Sequence, residues 1–340
     1  MAEPARLIEP LGLLHGDAAS QAIAAGYALP LAGGPTAFAL ARLIPDGTIV
    51  PASAIPPPWH TELARLTAAP PQWAGLPTHR PLVMGILNIT PDSFSDGGRH
   101  FDPAAAIGAG QTMAAAGADI LDIGGESTRP GAAPITPDQE QARILPVIAA
   151  LSGLRPISVD TRHAATMDAA LDAGAAIVND VSGLTHEPQA AALIARRGCP
   201  VILMHMRGTP ADMASHASYA DAAVEVTREL AARASAAIAA GIAPSAIALD
   251  PGIGFAKNTS HNREVLLRFP LLANLGHRIV LGVSRKRMIG QLSGETDPTR
   301  RLPGSLAAGL AGLLGGAAIL RVHDVAETVQ ALRVWHGIVT

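Results

Sequence analysis

From residue 82 onward the chain alternates short apolar runs with longer Ala- and Leu-rich segments of helical spacing. The spacing predicts strands over 82–88, 119–123, 156–160, 176–180, 200–205, 246–250, 278–284 and 317–322. The first of these is apolar without a break from Leu82 to Leu87, as expected for a strand buried on both faces. Between the strands, helical periodicity covers 103–116, 137–151, 163–173, 188–197, 219–240, 261–275 and 302–314, with a closing segment over 326–335. Several of these begin with proline or an acidic first turn, and several end at a glycine (Gly117, Gly174, Gly198, Gly241, Gly276). Eight strand–helix units over roughly 260 residues fit an α/β fold of the (β/α)₈ TIM-barrel type. A doubly wound open sheet is the alternative. Against it, no G-x-G-x-x-G follows the first strand, and polar residues end nearly every strand instead of gathering at one crevice.

Residues 1–77 read differently, as an N-terminal extension to a barrel domain over 78–340. Residues 38–44, the turn Pro45-Asp46-Gly47 and Thr48-Ile49-Val50 predict a hairpin. Residues 56–81 hold seven prolines and read as an extended linker or a strap along the main domain. No catalytic constellation is visible in the extension. One other stretch, 302–320, carries no charge, but Pro303 and five glycines interrupt it. A buried helix, a turn at Gly315-Gly316 and a buried strand explain it better than a membrane span.

Composition narrows the function. A net charge of −3 and the absence of a basic cluster longer than Ser284-Arg285-Lys286-Arg287 argue against a nucleic-acid or anionic-membrane surface. Three Trp, two Tyr and five Phe are too few for an aromatic stacking platform. The single Cys199 excludes an intrachain disulfide and a cysteine-built zinc site, and it reads as a small core residue. No basic region followed by a signal-type apolar stretch opens the chain, so a cytoplasmic protein is expected.

The strand ends carry the chemistry. In order they are Asn88; Asp122 leading into Gly124–Gly131; Asp160-Thr161-Arg162; Asn179-Asp180; His205; Asp250 leading into Pro251–Phe255; Ser284-Arg285-Lys286; and Arg321-Val322-His323. In a closed barrel all of them face one mouth. A lone Asp after a strand is commonly a helix cap, and Asp138, Asp180 and Asp324 suit that role. Eight polar ends out of eight exceed what capping explains. Asp160, Asn179 and Asp250 suit a flat heterocycle bearing paired N–H groups. Lys286, Arg321 and His323 suit an anion, at the strand positions where barrels commonly hold phosphate. The mouth is therefore expected to be polarised, with a heterocycle side and an anion side. Only Lys257 and Lys286 are lysines, against 23 arginines, so a compact ammonium is wanted at 286. His205-Met206 lacks an H-x-H or H-x-x-H partner and reads as a packed strand end, and Asp122 and Glu126 as hydrogen-bonding residues of the second loop.

Taken together, ILNITPDSFSDGG (86–98), DIGGESTRPGA (122–132), SVDT (158–161), VNDVSG (178–183), LMHM (203–206), DPGIGFAK (250–257), SRK (284–286) and RVHDV (321–325) resemble the dihydropteroate synthase family, in the right order over 82–335. The resemblance implies a folate-biosynthesis transferase on a (β/α)₈ barrel, commonly a homodimer and a sulfonamide target. Such an enzyme joins 6-hydroxymethyl-7,8-dihydropterin diphosphate to p-aminobenzoate and releases pyrophosphate with Mg²⁺ present. It further implies that Asp160, Asn179, Met204, Asp250 and Lys286 bind the pterin. Asn88, Thr128, Arg129, Arg321 and His323 would hold the diphosphate, with Asn88 at the metal and Asp96 completing the unit when the first loop closes. Phe94, Pro130, Phe255, Ser284 and Lys286 would shape the p-aminobenzoate pocket. Asp160, Lys286, Asp250 and Asp96 are the expected catalytic residues, and the glycine-rich stretches 95–98 and 130–131 the expected loop hinges.

The chemistry expected is dissociative, SN1-like. Diphosphate leaves from a methylene on an electron-rich dihydropterin, and the carboxylates of Asp160 and Asp250 favour the resulting cation. The rivals are a pterin-dependent methyltransferase, which needs no S-T-R-P-G or anion site, a non-catalytic pterin-binding module, and a phosphate-binding barrel of another pathway.

Overall fold

The computed structural model describes residues 6–90, 102–127 and 134–339. The N-terminal part is an antiparallel sheet of β1 (Leu7–Leu14), β2 (Leu29–Pro30), β3 (Ala37–Ile44) and β4 (Ile49–Pro51), in the order β1-β3-β2 with β4 also on β3. The predicted hairpin is the β3–β4 pair, with Ala41 opposite Val50. Helix α1 (Gly16–Ala24) follows β1. The proline-rich stretch is not wholly extended. Pro57–Trp59 makes a 3₁₀ turn that starts helix α2 (His60–Thr67), because proline's fixed φ suits a first helical turn as well as a linker.

Eight parallel strands then close a barrel: β5 (Leu82–Asn88), β6 (Ile120–Gly124), β7 (Ile157–Asp160), β8 (Ile177–Asp180), β9 (Val201–Met204), β10 (Ile247–Asp250), β11 (Arg278–Leu281) and β12 (Ile319–Val322), with β12 pairing back onto β5. The helices between them are α3 (Pro103–Ala115), α4 (Pro137–Leu151), α5 (Ala164–Asp172), α6 (Gln189–Arg197), α7 (Ala222–Ala239), α8 (Thr259–Leu267), α9 (Arg287–Ser293) and α10 (Leu302–Leu314), with α11 (Val325–Val339) closing the chain. Two departures from the sequence reading have local causes. The helix expected over 261–275 stops at Leu267 and continues as a 3₁₀ turn, Phe269–Leu275, since Pro270 cannot supply the helical N–H. The strand expected to reach Ser284 ends at Leu281, and Arg285 takes a left-handed φ of 57° that turns the chain into the unforeseen α9.

Each barrel strand buries both faces. Leu82, Met84, Ile120, Ile177, Ile202, Ala248, Val280 and Ile319 fill the interior, while Val83, Leu121, Val159, Leu203, Leu249, Leu281 and Leu320 pack outward among the helices. The interior layer is sealed from below by Trp73, which is 1% exposed and donates its Nε1–H to Ala246 O at 2.8 Å. The proline-rich segment thus ends as a plug under the barrel. The N-terminal sheet docks on the barrel's side. Ile8 N donates to Asn274 Oδ1 (3.0 Å), Asn274 Nδ2 donates to Ile8 O (2.7 Å), and Arg268 bridges buried Glu9 (2.6 and 3.0 Å) to Asp221 (2.9 Å).

The caps differ from those expected. Thr136, with Gln139, makes a capping box at α4, while Asp138 lies in that helix's first turn. Asp180 accepts from Ser182 N and Leu184 N within a loop, whereas Asp324 does stand at the start of α11, its carbonyl accepting from Thr328 N while its carboxylate pairs with Arg285. Asp102, Asp221 and Asn258 are the side-chain caps of α3, α7 and α8.

Candidate active site

The carboxyl ends of the strands build the site. Asn88, Gly124, Asp160 and Asn179 are successive partners across β5, β6, β7 and β8, so they occupy one tier. Gly124 has no side chain in that tier, and a Cβ there would stand 3.3 Å from Asp160 Cβ, crowding the acid. On the other half of the barrel, Asp250 ends β10, Lys286 follows β11 and Arg321 lies on β12. A Cβ at Gly282 would meet Asp250 Oδ2 and Lys286 Nζ at 3.7 Å and Arg321 Cβ at 3.9 Å, so these three groups surround one point.

Arg321 is the hinge of the arrangement. Its Nε donates to Asp122 Oδ2 and its Nη2 to Asp160 Oδ2, both at 2.6 Å. Asn179 Nδ2 donates to the same Asp122 oxygen at 3.1 Å. The expected division into a heterocycle side and an anion side is therefore corrected at Arg321, whose guanidinium lies between two carboxylates. Three buried acids in one cleft repel one another, and a guanidinium is the side chain that can bond two of them at once.

Burial sets the electrostatics. It pushes Asp160 up to about 7 against the pull of Arg321, with Asp122, Glu140 and Asp180 pushing the same way as burial. Asp250 is raised by burial against Lys286 and the Gly252 N–H, which donates to its Oδ1 at 2.7 Å. Burial draws Lys286 down to about 8, opposed by Asp250. Lys286 Nζ also donates to Ile253 O and lies 4.9 Å from the centre of the Phe255 ring. Met204, 5% exposed at the end of β9, belongs to an apolar patch with Val181, Met206, Met213, Ala256 and Phe255, which offers a face for a flat ring. Beyond Lys286, Ser284 Oγ and His323 Nδ1 are 3.0 Å apart and His323 N donates to Ser284 Oγ, so those two residues act as one unit. Phe94, Asp96, Thr128, Arg129 and Pro130, and the hinge stretches 95–98 and 130–131, lie outside the described residues.

Two features went unread in the sequence. Asp122 is fully buried and holds both Arg321 and Asn179, a hub where only a loop hydrogen bond was expected; the available signal was an acid inside the apolar run Ile120-Leu121-Asp122-Ile123. Glu126, by contrast, does serve the loops, accepting from Arg162 Nε and Nη2 at 2.8 Å each. The second feature is beneath the loop after β10. Lys257 Nζ faces Gly252 O and Phe255 O, both at 3.1 Å, and His205 Nδ1 at 2.8 Å. His205 Nε2 lies 2.9 Å from Glu229 Oε2. Burial raises Glu229, but bonds from His205 and Arg207 outweigh it and bring it to about 2, so the His205 proton sits on Nε2 and donates. Three acceptors then face Nζ and use the three protons of an ammonium. Burial draws Lys257 downward and Asp250 opposes it. The result is a loop whose backbone is tied down directly under Phe255. Gly252 completes it, since its φ is +64° and a Cβ would fall 1.9 Å from His205 O.

With this geometry in place, comparison with known proteins is informative. Residues 84–323 match the family described as pterin binding enzyme. Dihydropteroate synthase of Neisseria meningitidis serogroup C is 47% identical over 263 residues, covering 76% of this chain and 93% of the relative. That of Escherichia coli K12 is 44% identical over 265 residues, covering 77% and 93%. Among solved structures, Xanthomonas albilineans dihydropteroate synthase with 4-aminobenzoic acid is similar with a TM-score of 0.72 and 47% identity, covering 76% of this chain and 93% of that one. The same organism's enzyme in complex with 7,8-dihydropteroate gives 0.70 and 45%, covering 77% and 95%. A Yersinia pestis dihydropteroate synthase–sulfonamide drug complex gives 0.73 and 42%, covering 77% and 96%.

Proposed function

The chain belongs to the pterin-binding enzyme family, with the activity of a dihydropteroate synthase in folate biosynthesis, and from that premise we propose how its own residues carry out the reaction. That reaction condenses 6-hydroxymethyl-7,8-dihydropterin diphosphate with p-aminobenzoate to give 7,8-dihydropteroate and pyrophosphate. Asp160, Asn179 and Asp250 take the N–H and ring-nitrogen edges of the pterin, and Met204 lies against its face. Lys286 adds a donor beside Asp250. The observation that carries this reading is the convergence of Asp250, Lys286 and Arg321 on one point, with Asp160 held to the same guanidinium.

Arg321 is the residue that links the two halves of the reaction. Before substrate it neutralises Asp122 and Asp160. When the pterin's N–H groups take over Asp160, the guanidinium is released toward the diphosphate, where the Ser284–His323 unit and Lys286 add donors. C–O cleavage then leaves a pterin-methylene cation. The carboxylates of Asp160 and Asp250, dry and fixed, stabilise that positive charge, and the arylamine nitrogen bonds to the methylene and gives up one proton to the released pyrophosphate, without a covalent enzyme intermediate. The p-aminobenzoate ring sits among Phe255, Ser284 and the stem of Lys286.

The donor set at the mouth fits Mg²⁺, which commonly takes one or two protein oxygens and fills its remaining positions with water and substrate phosphate. Asn88, half-buried at the end of β5, offers such an oxygen. When bound, the ion neutralises charge developing on the leaving diphosphate. No described helix is long and apolar enough to cross a membrane. A cytoplasmic homodimer is the assembly we propose, on the family resemblance. Pyrophosphate release on mixing the pterin diphosphate with p-aminobenzoate tests the reading, and it should require both substrates and added Mg²⁺. Binding of pterin with no release would leave only a pterin-binding module.

A further inference from the structure

On the rim of the barrel, beside the site described above, the loops after β7 and β8 bring together His163, His186 and Glu187. One ligand atom from each lies within 4.8 Å of the others. We propose that these three residues form a binding site for a borderline divalent cation of the Zn²⁺ class, separate from the Asn88 position.

The support is the way His163 is held. It is buried, and its Nδ1 lies 3.1 Å from Glu140 Oε2. The carboxylate accepts, so the proton is on Nδ1 and the lone pair is on Nε2, the nitrogen not engaged with Glu140. Glu140 is itself fully buried and fixed by Thr161 Oγ1 at 2.7 Å, and its Oε1 is buried without a hydrogen-bond partner. A carboxylate behind a histidine in this way fixes the tautomer and raises the basicity of the outward nitrogen, the usual support for a metal-ligating imidazole. A carboxylate sealed in the core at 0% exposure is costly unless it is hydrogen-bonded, and Thr161 and His163 are the groups bonded to Glu140.

The other two ligands are adaptable where His163 is fixed. His186 is exposed, with its ring edge-on to His163 at 5.4 Å between centroids, and Glu187 is half-buried. One Glu187 oxygen accepts from Ala164 N (2.9 Å) and Gln189 Nε2 (3.0 Å), which anchors the side chain while the carboxylate keeps a second oxygen. Metal–ligand bonds of about 2.0–2.2 Å place tetrahedral ligand atoms about 3.4 Å apart, so closure asks at most about 1.4 Å, which rotation of the exposed His186 ring and the second Glu187 oxygen can supply. Two histidines, one carboxylate and an open fourth position form a zinc-type donor set. Charge also favours it. Two carboxylates, Glu140 and Glu187, stand at the two imidazoles, and Arg162 is bonded to Glu126 through two nitrogens. Bound metal would strap the segment that begins at Asp160 to the one that follows Asn179.

Cobalt(II), a spectroscopic substitute for zinc, tests this on the full chain. The parent should bind one Co²⁺ per chain at this site with the strong visible absorption of four- or five-coordinate cobalt, and zinc should displace it. His186→Ala changes an exposed side chain outside the catalytic machinery, so the metal-free variant should keep the parent's turnover while its cobalt affinity falls at least about tenfold. Glu140→Gln should weaken binding about 10–100-fold with the far-ultraviolet circular dichroism unchanged. Zinc should raise the melting temperature of the parent and leave that of His186→Ala unmoved. Cobalt binding with the same affinity and spectrum in His186→Ala would place the ion elsewhere and overturn the site, as would a parent that binds no cobalt.

Discussion

At the scale of single residues, the balance between burial and charge at Asp160 decides both function and a stability cost. An unfolded aspartate titrates near 3.9, whereas Asp160 in the folded chain titrates at about 7. Between those values the native state holds a proton that the unfolded state has released. The contribution of Asp160 to stability is therefore complete below about pH 4 and is lost as pH rises through 7. Asp160→Asn should lower turnover about 10²–10³-fold without weakening pyrophosphate affinity, because the carboxylate acts on the cation and its removal leaves the Arg321 guanidinium free for the leaving group. In denaturant titrations, the variant should gain stability relative to the parent as pH goes from 5 to 8. Equal losses in turnover and pyrophosphate binding would refute the electrostatic role, and a stability difference flat in pH would refute the raised titration. Asp122 shows why sequence legibility is uneven at this scale. Asp160 and Asp250 stand at strand ends, where the change from apolar to polar announces them, but Asp122 lies within an apolar run and is explained only by Arg321, 199 positions away.

At the scale of elements, the barrel separates a bottom that stabilises from a top that reacts. Trp73 belongs to the bottom. It touches the first interior layer, and its indole N–H is committed to Ala246 O. Trp73→Ala should cost about 3–5 kcal/mol in denaturant unfolding. Turnover per folded molecule should hold, since every residue placed in the reaction lies at the opposite strand ends. A large loss of turnover at full folding would show coupling through the barrel. The elements themselves were legible wherever periodicity ran long, as in α4 and α10, whose ends coincide with the reading. They were not legible where a single backbone event decided the outcome. Pro270 broke one helix into two conformations, and after β11 had ended at Leu281 the left-handed Arg285 turned the chain into α9.

For the whole molecule, the N-terminal part is joined to the barrel through a network that no local pattern displays. Glu9 is 3% exposed and receives Arg268 through two bonds, with Arg42 at 2.9 Å, and Arg268 reaches on to Asp221, the cap of α7. Removing one partner of a buried pair leaves the other uncompensated. Arg268→Ala should therefore destabilise the chain by roughly 2–3 kcal/mol, moderated by Arg42. The readout is a thermal or denaturant midpoint, and a change below about 0.5 kcal/mol would mean that the sheet's docking rests on Asn274 and apolar packing instead. The N-terminal part is thus a structural component of the barrel's side and floor, whatever else it does.

The sequence by itself determined the barrel, the order of its strands, and the set of polar residues at their ends. Each of these is written locally, in apolar runs, helix stops and the polar residue that follows a buried strand. Tertiary structure alone decided how those residues pair: that Arg321 stands between Asp122 and Asp160, that Lys257 and His205 secure the loop under Phe255, that Trp73 closes the floor, and that His163, His186 and Glu187 meet on the rim. Pairings of this kind depend on distances between residues far apart in the chain, and those distances exist only once the barrel has closed.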